Sequence, residues 1–188
     1  MLREELIFVG TCDIAGQVRG KGSPARELPA RKKQGIGWTH SNMMQTAFGP
    51  ILDTPFGTGG DLMVVPDMSA EARVDFADCS APEHFILGDI RNDGSPWECC
   101  RREFLRRAIA ALDSTSELHL VAAFEQEFIY AGVEDQPGHA YSLGSWRRQG
   151  GFGGSLVAAL RAAGLKTDTF LPDMARASTR SPRPRIRR

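Results

Sequence analysis

No apolar run in this 188-residue sequence approaches the roughly 18 residues that a membrane-spanning helix needs, so no membrane segment is expected. The opening MLREELIFVG has too short an apolar stretch, and no small-residue cleavage site, to read as a secretory signal, which makes the cytosol (a cytoplasmic protein) the expected location. Cysteine is scarce: Cys12, Cys79, Cys99 and Cys100 contain no CxxC pair, so neither a disulfide framework nor a zinc site is expected and the thiols read as reduced. His40, His84, His119 and His139 are scattered without metal-ligand spacing and read as surface or satisfied core histidines. A GxxxxGK[ST] arrangement is missing, which argues against a P-loop, and no order or spacing assembles a Ser-His-Asp set. Lysine is rare, with 4 Lys against 19 Arg, the bias of a GC-rich gene.

What is present is ordinary for a globular chain: 41% hydrophobic and 24% charged residues, with mean hydropathy −0.27. The length suits one large domain or one and a half small ones. The net charge of zero averages two unlike parts, because residues 173–188 hold six Arg and one Asp while residues 1–172 are acidic by the same margin. The tail DMARASTRSPRPRIRR has Pro182 and Pro184, little apolar content and no periodicity, so disorder is expected. Its charge is that of a nucleic-acid or membrane-surface arm; the alternatives are a solvated end without function, and a third origin given below.

The pattern along the chain predicts a hairpin from strands at 6–10 and 16–21, then a short broken helix or loop at 23–33 where Pro29 interrupts periodicity. Residues 35–60, punctuated by Gly and Pro, read as a long surface excursion with at most short strands. Strands are expected at 61–66, 72–76 and 84–90. Ser95-Pro96-Trp97-Glu98 has the form of an N-cap, a first-turn proline and a capping-box Glu, predicting a helix to about Leu112. Its buried face would carry Trp97, Cys100, Phe104, Ala108 and Leu112, leaving Arg101, Arg102, Arg106 and Arg107 as a solvated face. A strand at 118–130, a helix at 146–163 ended by Gly164, and a strand beginning at 166–171 follow. Gly150–Gly154 reads as a flexible lead-in to that helix. Sheet-rich then alternating, the order indicates an α+β protein of two domains.

The 118–130 strand carries Glu125 and Glu127 in an apolar run. Alternation places both carboxylates on one face. Paired acids there repel and desolvate each other unless a cation lies between them, and hard divalent ions such as Mg²⁺ or Mn²⁺ suit clustered carboxylates. The competing reading is two acids on a solvent-facing edge.

Several motifs in order resemble the glutamine synthetase superfamily: Gly20-Lys21 after the first hairpin, Gly35-Ile36-Gly37, Phe48-Gly49-Pro50-Ile51-Leu52-Asp53-Thr54-Pro55-Phe56-Gly57, and Gly60-Asp61-Leu62 through Val65-Pro66-Asp67. Asp93-Gly94-Ser95-Pro96-Trp97 with the arginine-rich helix, Phe124-Glu125-Gln126-Glu127-Phe128, and Ala159–Leu165 extend the likeness over about residues 5–172. The resemblance implies a β-grasp domain at 1–92, the incomplete opening part of a catalytic α/β barrel at 93–172, and an ATP-dependent ligase that phosphorylates the γ-carboxylate of glutamate before an amine or ammonia displaces phosphate. It implies Mg²⁺ or Mn²⁺ and ATP as cofactors, with Glu125 on the metal nearer phosphoryl transfer and Glu127 on the metal nearer glutamate and amine. It also implies a homo-oligomeric ring in which the β-grasp loop of one protomer closes its neighbour's site; no membrane or nucleic-acid partner is expected.

Two departures matter. Where ammonia-using members have Asp-Gly-Ser-Ser, this chain has Thr39-His40-Ser41-Asn42, so Thr39 replaces the ammonium-site aspartate and an organic amine becomes the expected acceptor. After Leu171-Pro172 the family continues Glu-Tyr-Gly-Pro-Gly-Gln-Tyr-Glu-Val, whereas this chain reads Asp173-Met174-Ala175-Arg176-Ala177-Ser178-Thr179-Arg180-Ser181. Deleting one base from the first Glu codon restricts residues 173, 174, 178, 179 and 180 to Asp, Met or Thr, Asn or Ser, Met or Thr, and Lys or Arg, and all are satisfied. Residues 173–188 are therefore expected to be a frameshift product, with Asp173 a doubtful stand-in for a ligand Glu and Arg180 a cation where another Glu belongs. The chain is then a truncated ligase, catalytically silent alone. The alternatives are a fragment of a true glutamate–ammonia ligase and a non-catalytic remnant that binds or modulates assembly. The apolar 118–130 segment, without later neighbours, is expected to promote aggregation.

Overall fold

The computed structural model describes residues 3–57, 59–116, 118–129, 138 and 140–172. By contact density the chain divides into two units, Met1–Leu120 and Val121–Arg188.

The first unit is built on a mixed sheet. β1 (Leu6–Cys12) and β2 (Val18–Pro24) form the expected hairpin; a single 3₁₀ turn and α1 (Leu28–Gln34) lead to β3 (Ile36–Thr39). β4 (Asp61–Val74), β5 (Glu83–Asn92) and the two-residue β6 (Ser95–Pro96) complete it in the order β2-β1-β5-β4-β3, with β6 on β5. β1 and β5 run parallel, pairing Phe8 with Phe85 and Gly10 with Leu87; the other pairs are antiparallel. The sheet curls far enough for Lys21 Nζ on β2 to donate to the Gly37 carbonyl on β3 at 2.6 Å. Ile7 and Val9, Ile36 and Trp38, Leu62 and Val64, Ile86 and Ile90 alternate inward and form the core with Met43, Trp97 and Cys100. Fully burying each such aliphatic side chain contributes about 1.5–3 kcal/mol.

Four local expectations are corrected. Pro29 does not break the 23–33 segment: it occupies the first turn of α1, where its missing N–H has no partner to lose. The strands expected at 61–66 and 72–76 are halves of one strand, β4, joined by an irregularity between Pro66 and Glu71. Pro66 is tolerated because β3 pairs only with residues 61–64 of β4, leaving an open edge beside it. Ser95-Pro96 is a strand and not a helix cap. Asp93 (φ 45°) and Gly94 (φ 79°) make a two-residue turn, the Asp-Gly signal of a hairpin, and the Trp97 amide donates to the Ile90 carbonyl at 3.0 Å. α2 accordingly starts at Arg101 and runs to Ser116.

The fourth correction inverts α2. Trp97 and Cys100 are buried and Arg107 is exposed, as expected, but Phe104 is 67% exposed and Leu105, Ile109 and Leu112 also face outward, whereas Arg102 and Arg106, expected in solvent, attach the helix to the sheet. Arg102 Nη2 and Arg106 Nη2 donate to Asp67 Oδ2 at 2.6 and 3.0 Å; the same guanidiniums pair with Asp89 at 3.2 and 2.7 Å. Asp67 and Asp89 stand on the outward face of β4 and β5, so the charges rest in a half-buried layer where pairing is worth more than at an open surface. His84 is a satisfied core histidine, its Nδ1 3.2 Å from Glu5 Oε1 and its Nε2 2.8 Å from Glu71 Oε1.

In the second unit α3 (Leu143–Ala162) is capped by Ser142 Oγ, which accepts from the Ser145 amide at 3.1 Å, and Gly164 follows it with φ 81°, as expected. Gly150–Gly154 lies inside this helix and does not precede it. Gly153 is buried because the Phe170 ring fills the space of a side chain: a Cβ there would lie 2.5 Å from Phe170 Cε1. Phe152 stands edge-on to both Phe128 and Phe170, with centroids 5.9 and 6.1 Å away. The strands expected at 118–130 and 166–171 do not form among the described residues, because a strand needs a neighbour to accept its backbone hydrogen bonds and none is paired with them. Among the described residues no helix is long and apolar enough to cross a membrane.

Two outcomes follow. The Ser69 hydroxyl first, against the cost of burial, and then the Ser69 amide, Arg102 and Arg106 hold the Asp67 carboxyl below its ordinary 3.8. A lowered folded-state pKa stabilises fully above the unfolded value and is lost as pH falls through the folded one, so stability should decline below about pH 4, and Asp67→Asn should flatten that decline in urea titrations at several pH values. Gly153→Ala, which helix propensity favours by about 1 kcal/mol, should instead lower the melting temperature through collision with Phe170, and Phe170→Ala should relieve the loss.

Candidate functional site

β3 delivers Thr39, the residue at the ammonium-site position of the resemblance, to the sheet margin. Its backbone is fixed by pairing with Asp61, the first residue of β4, and its side chain is half-buried. The chain then turns through a single 3₁₀ helix, His40–Met44, that buries Ser41 and Met43. The His40 ring meets Trp97 edge-on at 5.4 Å and Phe56 at 6.2 Å, and Phe56 meets Trp97 at 5.3 Å. It rests over Gly60, where a Cβ would come within 2.7 Å of His40 Cε1, so only glycine fits beneath it. His40 Nδ1 is buried without a hydrogen-bond partner.

This turn is held by cations. Arg101 Nη1 donates to the Cys12 carbonyl and Nη2 to the Met43 carbonyl, both at 3.0 Å. Burial draws the Arg101 guanidinium below the ordinary arginine value, while the charge of Asp13 opposes that shift. Arg19 Nη2 donates to the Thr46 carbonyl at 2.8 Å and Gln17 Nε2 to the Ala47 carbonyl at 3.2 Å. Arg19 is itself paired with Asp13, which also accepts the amides of Ala15 and Gln17 at 2.9 Å each. Burial pushes the Asp13 carboxyl up, but the Arg19 hydrogen bond and those amides together keep it below the usual aspartate range.

The anchored segment is a small hairpin. Gln45 bridges Ile51, the Thr46 amide donates to the Pro50 carbonyl at 2.9 Å, and the Gly49 amide returns to the Thr46 carbonyl at 3.1 Å. Phe48 projects from its tip, 95% exposed. The sequence marked this stretch as an excursion but gave no sign of the polar contacts that hold it. Arg19, Arg101, Asp13 and the His40–Phe56–Trp97 cluster were missed because their partners are backbone carbonyls and rings distant in the chain; only the surplus of Arg hinted at them.

Glu125 and Glu127 belong to the second unit, in an exposed stretch without regular secondary structure. Among the described residues neither has a hydrogen-bond or ion-pair partner, and no cluster of three or more His, Cys, Asp or Glu could hold a metal. Their chemistry fits a hard divalent ion, but two carboxylates fall short of the six or so oxygens such an ion takes, so they are at most part of a donor set. Asp173, Arg180 and the rest of the tail lie outside the described residues, as does His139. Thr39 lies in the first unit and both glutamates in the second.

Replacing Arg101 by Met keeps the length of the side chain and removes its donors to Cys12 and Met43. A cost of about 1–3 kcal/mol in denaturant unfolding is expected, with faster amide hydrogen exchange at residues 41–46.

Residues 3–97 match the model of the glutamine synthetase N-terminal domain. The chain is similar to the crystal structure of a novel glutamine synthase homolog, with 27% identity and a TM-score of 0.74, over 92% of this chain and 42% of that one. It is also similar to ligand-free GmaS, with 14% identity and a TM-score of 0.59 over 86% of this chain and 38% of that one. A GmaS–ADP complex gives 13% identity and a TM-score of 0.58, over 86% and 37%; at such identities the likeness is one of fold. The chain spans less than half the length of these relatives. No curated protein matches it significantly. With this domain match, and with a mixed sheet that pairs β1 and β5 in parallel at its centre, the chain belongs to the glutamine synthetase superfamily, an α+β protein with that family's N-terminal β-grasp domain.

Proposed function

We propose that this chain is the N-terminal part of an ATP-dependent glutamate–amine ligase, with residues 1–92 as its β-grasp domain and 93–172 as the opening of its catalytic domain. The match of residues 3–97 to the glutamine synthetase N-terminal domain carries this reading. The outward apolar side of α2 and the unpaired, exposed run containing Leu120, Val121, Phe124 and Ile129 support it, since such surface is covered in a complete barrel domain.

In the parent enzyme the γ-carboxylate of glutamate is activated by phosphorylation and an amine displaces the phosphate. Thr39 brings a hydroxyl where a carboxylate would attract an ammonium ion, which favours a bulkier organic amine over ammonia. The backbone pairing with Asp61 and the Arg101 bond to Met43 keep the Thr39–Asn42 turn in place without substrate. Glu125 and Glu127 contribute carboxylate oxygens to Mg²⁺ or Mn²⁺, which would offset phosphate charge when bound. The 45–51 hairpin, with Phe48 at its tip, is the segment that reaches a neighbouring protomer in a ring. Residues 173–188 are a frameshift product, Asp173 replaces a ligand Glu, and the 188-residue chain has no turnover of its own. The second reading, a non-catalytic remnant that modulates assembly of an intact homologue, draws on the same uncovered surface of α2.

Sequencing the gene across Leu171–Arg180 decides between them: an additional base restoring Glu-Tyr-Gly-Pro-Gly supports the ligase, and confirmation of the present frame supports the remnant. Purified chain supplied with ATP, Mg²⁺, glutamate and either ammonium or an alkylamine should release no phosphate above background. The frame-restored enzyme should prefer the alkylamine, and Glu125→Gln or Glu127→Gln should raise the Mg²⁺ concentration needed for half-maximal activity at least about tenfold. Preference for ammonium would overturn the acceptor assignment.

A further inference from the structure

A cleft of about 400 Å³ opens between the last turn of α1 and the outward face of the sheet, lined by Lys32, Lys33, Gln34, Met63, Val65 and Arg91, with Gly94 at its rim. Met63 and Val65 are alternate residues on the outward face of β4, and Arg91 stands across from Met63 on β5, so the apolar floor and one cationic wall are set by strand register. The other wall comes from α1, whose last turn carries Lys32 and Lys33.

Lysines in a last helical turn ordinarily complement the helix dipole, and that alone would explain two of the three cations. It does not explain Arg91, which comes from a different element. Arg91 Nη1 donates to the Gly94 carbonyl at 3.0 Å, which fixes the side chain, while its Nε is buried without a partner. No carboxylate lines the cleft. Of the acids that continue the same outward rows, Asp67 and Asp89 are engaged by Arg102 and Arg106, and Asp61, exposed at the start of β4, is not among the lining residues. Three cationic residues thus line one cleft with an apolar floor and no counter-charge among the lining residues, and a guanidinium has further donors in the fork geometry that suits a phosphate oxygen pair.

We propose that this cleft binds a phosphate monoester, its dianion held by Arg91, Lys32 and Lys33 and its organic body lying on Met63 and Val65. The site belongs wholly to the first unit, and Thr39 is not among its lining residues. It stands whether or not the parent is a ligase.

The test is a titration of the ¹⁵N-labelled 188-residue chain with phenyl phosphate and, separately, inorganic phosphate, at ionic strength held constant with sodium chloride. Saturable amide shifts confined to residues 32–35 and 90–94, with phenyl phosphate binding more tightly than inorganic phosphate, are expected. The surface double variant Lys32→Ala/Lys33→Ala should weaken phenyl phosphate binding at least tenfold, with the chain still folded and its thermal unfolding midpoint lowered only by the small loss of helix-dipole pairing. Arg91→Lys, which keeps the charge and loses the fork, should also weaken it. Shifts that chloride alone reproduces, or equal affinity in the double variant, would overturn the site; equal binding of the two phosphates would overturn the role of the apolar floor.

Discussion

The parallel pairing of β1 with β5 constrains everything between them. Antiparallel neighbours can be joined by a tight turn, but a parallel pair needs a crossover that leaves the first strand and returns in the same direction. Here that crossover is most of the first unit: β2 folds back on β1, α1 carries the chain across, β3 and the 45–51 hairpin follow, and β4 returns to lie against β5. The inward residues of β1, β3, β4 and β5 reach one core only in this arrangement, which includes Leu62 and Ile86 with no exposure at all.

Polar contacts then decide what the core leaves open. Aliphatic packing is non-directional, so it cannot fix the Thr39–Asn42 turn, the hairpin after it or the orientation of α2. Guanidiniums do so, because their rigid donor forks reach backbone carbonyls and paired carboxylates that ordinary side chains leave unmet. Arg101 and Arg19 attach the turn and the hairpin to β1 and β2, and Arg102 and Arg106 tie α2 to Asp67 and Asp89. A helix held by its charged side presents its apolar side outward, which links the ion-pair layer directly to the uncovered surface of the proposed barrel opening.

Legibility in the sequence followed interaction range. The β1–β2 hairpin, β5 and α3 with its Gly164 terminus were visible because period-two alternation, turn residues and helix caps act within a few positions. Glu125 and Glu127 were visible as a pair for the same reason, yet their common face depends on a strand whose neighbours the described structure does not supply. The Ser95-Pro96 reading failed through a contest between two local signals, a capping box and an Asp-Gly turn, which the Ile90–Trp97 backbone bond settled. Pro29 and Pro66 were legible as punctuation but not in their meaning, since a first helical turn and an open strand edge both tolerate a missing N–H.

By itself the sequence determined the α+β class, the alternating inward residues and the ordered motifs that resemble a glutamine synthetase, since each is a matter of local pattern and spacing. Tertiary structure alone decided which side of α2 faces the sheet, why Gly60 and Gly153 must lack side chains, how Arg101 reaches Cys12 and Met43, and that Lys32, Lys33 and Arg91 share one cleft. Those outcomes join residues from 13 to 89 positions apart, and no local propensity carries information over such separations; only tertiary packing brings the groups within reach of one another.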